Sequence, residues 1–335
     1  MKNIKETLGI DVSKCTLDTQ LHVTAVQSQV TNDLAGFKKL LSWALKSSGV
    51  EKCELLVCFE HTGMYSIQLA TFLEEKGIAY CMMPAIEIKR SLGMVRGKDD
   101  QVDAKRIAHY AHIRRDTLKE TKLPTKLLKE LKALLSLRGK IVAQRAGYKA
   151  HLKELKRVFK RAENKDVFEV EEKLLKSLTQ AQLKLEKQIN KLINSDPEVK
   201  RIFNLITSIK GVGPIVGANL IVVTQCFKSF ENSRQLACYC GVAPFKKQSG
   251  TSIKGRSRVS HYANKKMKAL LNLAASSAVG SDKELKAYYQ RRIEKGKSKM
   301  STLNIVRNKL LHRVFAVVKR GTPYVETYQH KVNFC

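Results

Sequence analysis

The chain has 335 residues, is 43% hydrophobic, and carries 62 Lys+Arg against 30 Asp+Glu, for a formal net charge of +32. The apolar share excludes wholesale disorder, and the length accommodates two or three domains, each with its own core. A charge of this size points to a polyanionic partner whose phosphates Lys and Arg would neutralise, rather than to an unspecialised basic surface.

The charge is unevenly placed. Residues 1–110 hold 14 Lys+Arg and 13 Asp+Glu, and the remaining 225 residues hold 48 and 17. A neutral first third beside a strongly basic remainder suits an enzyme with an acidic site and a basic grip on nucleic acid.

In chain order, "TLGIDV" and "LHVTAV" read as strands. "LAGFKKLLSWALKSSG" reads as a helix ending at Gly49, and "CELLVCFE" as a buried strand. "SIQLATFLEEKG" reads as a helix with Gly77 at its end, and "IAYCMM" as another strand. Alternating strands and helices predict an α/β layer. "QVDAKRIAHYAH" then has a helical pattern.

From residue 121 the pattern changes. Leu127, Leu131, Leu134, Arg138, Ile141, Arg145, Tyr148, Leu152, Leu155 and Phe159 alternate spacings of four and three, a coiled-coil-like seam. After "RAENKD", Leu174, Leu178, Ala181, Leu185, Ile189 and Leu192 continue it, so two long antiparallel helices are expected. An ordinary helical hairpin and a dimerisation arm fit this pattern equally. "SDPE" offers a further helix start, with Ser195 or Asp196 as cap and Pro197 in the first turn. Residues 200–335 are the most basic, with 26 Lys+Arg and 5 Asp+Glu. The expected domains are 1–120, 121–199 and 200–335.

The eight cysteines form no CxxC pair, and Cys238 and Cys240 stand too close for the usual zinc-ligand spacing. No apolar run reaches the ~20 residues a membrane helix needs, and the start lacks a signal-peptide core. A cytoplasmic, nucleoid-associated protein without a membrane partner is expected.

Four carboxylates stand where chemistry gathers. Asp11 is near the end of the first strand, and Glu60 is at the end of "CELLVCFE". Ligands collect at strand ends in open α/β sheets. Asp100 and Asp103, three apart, share a helix face. Converging carboxylates repel unless cations neutralise them, and hard oxygen ligands suit Mg2+ or Mn2+. Taken singly, Asp11 reads equally as a turn residue, and Asp99 and Asp100 as helix caps. Asp99 and Asp103 also share a face, so spacing alone does not choose between Asp99 and Asp100.

Further on, "LITSIKGVGPIVGANLI" reads as a helix–hairpin–helix. Its glycines, Gly211 and Gly213, would let backbone amides approach phosphate. A stretch crowded with Lys246, Lys247, Lys254, Arg256, Arg258, Lys265, Lys266 and Lys268 follows, interleaved with Gly and Ser. Ser249, Ser252, Ser257 and Ser260 lie in it or at its edge. By composition alone each is an ordinary loop serine.

"GIDVSK", "EHTGMY" and "KDDQVDAKRIA" resemble the three metal-site motifs of the DEDD transposases of insertion sequences, with their pilin-gene invertase relatives. The resemblance runs from about Gly9 to Ala275. It implies a RuvC-like, ribonuclease-H-type first domain, a coiled-coil connector, and a mainly helical C-terminal domain with the helix–hairpin–helix. It assigns Asp11, Glu60, Asp100 and Asp103 to the metal, and Asp99 to the helix start where the family usually has Thr. It gives Ser249, of the pair Ser249-Gly250, the role of nucleophile, with DNA donor and target as substrates. It further implies guidance by a non-coding bridge RNA, and a homodimer or homotetramer in which domains of different protomers complete one site. One departure is Ala263 before Asn264, where the family often has Gly. Among enzymes the alternative is a metal-dependent junction resolvase or nuclease in which water attacks.

Overall fold

In the computed structural model the described residues are 3–91, 100–249 and 253–325, and of residues 100, 246, 247, 249, 253, 254 and 256 only the backbone is described. The chain forms two compact units, Met1–Leu123 and Pro124–Cys335.

The first unit is built on a five-stranded sheet. Its strands are β1 (Glu6–Val12), β2 (Thr16–Leu21), β3 (Gln27–Thr31), β4 (Leu55–Glu60) and β5 (Ala79–Met83), and its helices are α1 (Leu34–Ser48), α2 (Ile67–Glu75), α3 (Ala85–Ser91) and α4 (Asp100–Arg114). The strand order is β3-β2-β1-β4-β5. β1, β4 and β5 are parallel, and β2 is antiparallel to both its neighbours.

Side chains alternate between the two faces of the sheet. One face presents Leu8, Ile10, Val12, Leu17, Leu21, Leu55, Val57 and Phe59 to Phe37 and Leu40 of α1 and Leu69 and Leu73 of α2. The other presents Leu56, Cys58 and Cys81 to Ile107, Tyr110 and Ala111 of α4. α1 starts at Asp33, whose carboxylate accepts the Gly36 amide at 2.8 Å, and ends at Gly49 with φ +66°.

The second expected strand is corrected. "LHVTAV" does not extend along the sheet: β2 covers Thr16–Leu21 and stops there. The buried Glu6 carboxylate accepts the amides of His22 and Val23 at 3.1 and 2.9 Å and of Thr24 at 3.2 Å. It thereby organises the turn into β3, a strand the sequence reading missed. The β propensity of Val23, Thr24 and Val26 yields to a register fixed by Leu17 and Leu21 in the core.

The described residues of the second unit are helical but for one hairpin. Its elements are α5 (Lys126–Val158), α6 (Lys165–Asn194), α7 (Pro197–Thr207), α8 (Pro214–Thr224), α9 (Ser233–Tyr239), β6 (Pro244–Ser249), β7 (Ile253–Val259), α10 (Lys265–Ser281), α11 (Lys283–Glu294) and α12 (Lys299–Arg320). α5 and α6 pair, with Arg138 on Glu186 at 2.7 Å and Arg161 on Glu172 at 2.8 Å.

The expected seam is realised in part. Leu131, Leu152, Leu185 and Ile189 are buried, but Tyr148 and Phe159 are 38% and 47% exposed. Leu128 and Leu135, outside the expected seam, are buried in the helical core with Ile206, Leu220 and Leu310. The base of α5 thus belongs to that core, and its inward face follows the core rather than a heptad. Asp196, one of the two expected caps, accepts the Val199 amide at 3.0 Å, with Pro197 in the first turn of α7. Among the described residues no helix is long and apolar enough to cross a membrane.

Candidate active site

Asp11 and Glu60 each directly follow the last residue of their strand in the β1–β4 pairing. β1 and β4 pair in parallel with Gly9 opposite Cys58 and Ile10 opposite Phe59. The next pair in that register is Asp11 and Glu60. Both follow the parity of the α4 face: Thr7 Oγ1 donates to Ala108 O at 3.2 Å, and Cys58 packs with Ile107. Both are part-exposed, as the last polar residues of buried strands.

Gly9 brings α4 down onto this face. A Cβ added there would lie 2.2 Å from Ala108 N and 2.3 Å from Ala104 O, both rigid backbone atoms. Passing from Thr7 to Gly9 moves the contact from Ala108 towards Ala104, so α4 runs antiparallel to β1. Two residues beyond Gly9 the strand reaches Asp11, about 7 Å further on. Four residues before Ala104 the helix reaches Asp100, about 6 Å in the same direction. Asp103 shares the helix face of Ile107, which packs on the sheet. The backbone therefore carries all four acidic positions to one end of one sheet face.

Asp103 is paired with Arg106 at 2.7 Å, and the Asp100 side chain and all of Asp99 lie outside the described residues. The donor set is entirely carboxylate oxygen, which fits a hard divalent cation. Among the described residues no three His, Cys, Asp or Glu side chains form a group that could hold a metal ion.

One carboxylate escaped the sequence reading. Asp18 of β2 is the direct cross-strand partner of Asp11 and is only 4% exposed. Its Oδ1 accepts from Gln29 Nε2 at 2.8 Å. The signal is an aspartate between Leu17 and Leu21, seven residues after Asp11, but the expected second strand, "LHVTAV", begins after it.

At the far end of the same face three imidazoles gather. His22 lies 4.2 Å from His112 and 5.3 Å from His109, centroid to centroid. Burial, then the neighbouring histidines, hold His22 below the ordinary imidazole value; burial, then Arg115, do the same for His112.

In the second unit, Ser249 is the last residue of β6, paired with Ile253 of β7. Composition alone reads the serines of this stretch as loop serines, whereas the stretch forms a β-hairpin with Ser249 on a strand. Its alternation was hidden by charge and by an irregularity between Phe245 and Lys247.

The hairpin rises from a fixed base. Val242 N donates to Ala237 O at 2.9 Å, Asn304 Nδ2 donates to Val242 O at 2.8 Å, and Asn264 N donates to Tyr239 O at 2.8 Å. Asn304 is in turn held by Arg307 Nη1 at 3.3 Å. A Cβ on Gly241 would stand 2.5 Å from the Ala263 methyl, so the absent side chain at Gly241 makes room for Ala263.

The side chains of Lys246, Lys247, Lys254 and Arg256 lie outside the described residues. Arg258 and Lys265 are exposed, and Lys266 Nζ donates to Leu135 O of α5 at 3.4 Å. Gly211, with φ +89°, is packed against α10, where a Cβ would meet Ala278 Cβ at 2.5 Å. Its need for glycine is thus a close helix approach. Gly213 is open, and it begins α8 without a side-chain cap, leaving that helix's first amides available to an acceptor.

Two family models match the chain. One, for the IS110-type DEDD transposase domain and described as "Transposase", covers residues 8–160. The other, "Transposase IS116/IS110/IS902 family", covers residues 203–290. The chain is 27% identical to the pilin gene-inverting proteins of Moraxella lacunata and Moraxella bovis, over 96% of its own length and 98% of theirs. It is also 33% identical to an uncharacterized 43.6 kDa protein of the insertion element IS110 from Streptomyces coelicolor, over 42% of this chain and 33% of that one. By these two domains the chain belongs to the IS110/IS116 family of transposases, enzymes that cleave and join DNA.

Proposed function

We propose that this protein cuts and rejoins DNA for an insertion sequence, through a serine nucleophile and a four-carboxylate metal site. The observation that carries the reading is the in-register pair Asp11 and Glu60 beneath an antiparallel α4, with positions 100 and 103 drawn to the same sheet end by Gly9. The strand order β3-β2-β1-β4-β5, with β2 antiparallel, supports the RuvC-like, ribonuclease-H-type assignment of the first domain. Asp11, Glu60, Asp100 and Asp103 would hold Mg2+ or Mn2+, which when bound stabilises charge on the scissile phosphate.

In the proposed reaction the Ser249 oxygen forms a bond to phosphorus as a phosphodiester P–O bond breaks. The serine proton is lost and the departing strand end leaves as a hydroxyl. The hydroxyl of an incoming strand then attacks the phosphoserine, restoring Ser249 and one phosphodiester, so bond energy is conserved and no nucleotide cofactor is needed. The fixed hairpin base would orient the serine. Lys246, Lys247, Lys254, Arg256, Arg258, Lys265 and Lys266, with the amides about Gly211 and Gly213, would hold phosphates.

A bridge RNA pairing with donor and target would supply specificity, and two or four copies would assemble, with α5 and α6 as the arm. The enzyme would work in the cytoplasm, on the nucleoid. The experiment is recombination between two plasmid-borne junctions, with and without the element's non-coding RNA. Asp11→Asn and Ser249→Ala should each abolish it, and omission of the RNA should too. Strand cleavage that survives Ser249→Ala would instead favour a resolvase or nuclease with water as nucleophile.

A further inference from the structure

The row of residues across the sheet at Asp11 holds more acid than the four proposed ligands. With the β1–β4 register continued by one residue, it reads Met83, Glu60, Asp11, Asp18 and Gln29, from β5 to β3. Three neighbouring strands thus present carboxylates side by side on one face, at strand spacings of about 4.8 Å. Like charges directly opposite on paired strands destabilise a sheet. Asp18 bears the heaviest burden, because it is 4% exposed and has lost most of its hydration. Among the described residues its side chain has one hydrogen-bond partner, the neutral amide of Gln29 at 2.8 Å, and it forms no ion pair.

We infer that Asp18, held by Gln29, is a fifth carboxylate of the metal centre. It acts as a positioning residue that turns Asp11 outward and deepens the negative field at the cation. The inference rests on the proposed metal site and adds to it a residue outside the four-carboxylate pattern. Gln29 fixes one oxygen of Asp18 and leaves the buried charge opposite Asp11. Repulsion from behind favours the Asp11 rotamer facing the strand end, and a divalent cation there relieves all three carboxylates at once. Outer residues that orient metal ligands commonly set affinity within a factor of 10 to 100.

The test is Asp18→Asn in the full chain. The amide oxygen can still accept from Gln29, so the shape and the hydrogen bond are kept while the charge is removed. Two readouts are taken without DNA: Mn2+ affinity by calorimetry or electron paramagnetic resonance, and the thermal midpoint in EDTA and in Mn2+. The expected result is a Mn2+ dissociation constant raised about tenfold or more. The midpoint in EDTA should be unchanged or higher, and the gain on adding Mn2+ should be smaller than in the parent.

A merely structural Asp18 gives another pattern: the midpoint falls in EDTA, or the chain fails to fold. Either result overturns the inference, as does unchanged Mn2+ affinity. Asp11→Asn is the companion measurement. If it leaves Mn2+ affinity intact, the proposed metal site itself is wrong. If it abolishes binding while Asp18→Asn has no effect, the site stands and Asp18 is not part of it.

Discussion

Gly9→Ala is the sharpest test of how α4 reaches the sheet. The added methyl carbon would lie 2.2 Å from Ala108 N, 2.3 Å from Ala104 O and 2.7 Å from Ala108 Cα. All three are backbone atoms of a helix and cannot rotate aside. Ordinary contact begins near 3.4 Å, so α4 must retreat by about 1 Å. Forcing a methylene-sized group into a packed site costs about 1–3 kcal/mol. A displacement of about 1 Å in a reacting constellation can cost on the order of 10²-fold in rate. The variant should therefore remain folded but less stable by about that amount. Its strand cleavage should be on the order of 10²-fold slower, and its DNA affinity unchanged, because the proposed phosphate contacts lie in the other unit. Stability is read by urea unfolding of the purified chain, cleavage by single-turnover gel assay, and affinity by filter binding. Cleavage at the parent rate would refute the claim that Gly9 places α4 and its aspartates.

The remaining predictions address other parts of the structure. Asp100→Asn should abolish cleavage while Asp99→Asn keeps substantial activity; equal losses in the gel assay would mean that the motif register is misassigned. His22 and His112 are held below their ordinary values, so the unfolded state takes up protons first as pH falls. Their contribution is intact above about pH 7, and stability should fall as pH drops through about 6.5. Urea midpoints from pH 7.5 to 5.5 should lose part of this slope in the His22→Gln, His112→Gln double variant; an unchanged slope would assign it to other groups. Arg307 is 5% exposed, donates to Asn272 and Asn304, and has an Nε without a partner among the described residues. Arg307→Met should leave the thermal midpoint unchanged or higher, since it removes a buried charge with no counter-ion among the described residues. It should slow cleavage by loosening Asn304 and the hairpin base; a large fall in the midpoint would mean that Arg307 is chiefly structural.

The legible parts of the fold were those where a strong period met a clear stop. α1 carried an apolar stripe closed by Gly49, and α2 ended before Gly77, both with φ near +67°. β4 and β5 were uninterrupted apolar runs, the pattern of buried parallel strands. The β2–β3 region was not legible, because its turn is organised by Glu6, sixteen residues earlier than His22. A local reading cannot see that contact, and Val23, Thr24 and Val26, between β2 and β3, suggest a strand. Asp18 was missed for the same reason: its meaning depends on standing opposite Asp11, which follows only from the correct hairpin. Asp11 and Glu60 could be proposed from their places at strand ends, but their adjacency comes from register. The Ser249 hairpin was hidden because its strands are charged on both faces and carry little apolar alternation. The α5 seam was half-legible, since its lower half answers to a core made by α7, α8 and α12.

The most direct measurement of the central claim is to trap the reaction midway and identify the bond. Full-length protein would be incubated with Mg2+, the element's RNA and a nicked suicide DNA duplex that lets the leaving strand diffuse away. The mixture is then denatured, digested and sequenced by mass spectrometry. The expected product is a nucleotide linked through phosphate to the peptide bearing Ser249, absent from Ser249→Ala and from Asp11→Asn. Cleaved DNA with a free phosphate end and no adduct, or an adduct that persists in Ser249→Ala, would contradict it.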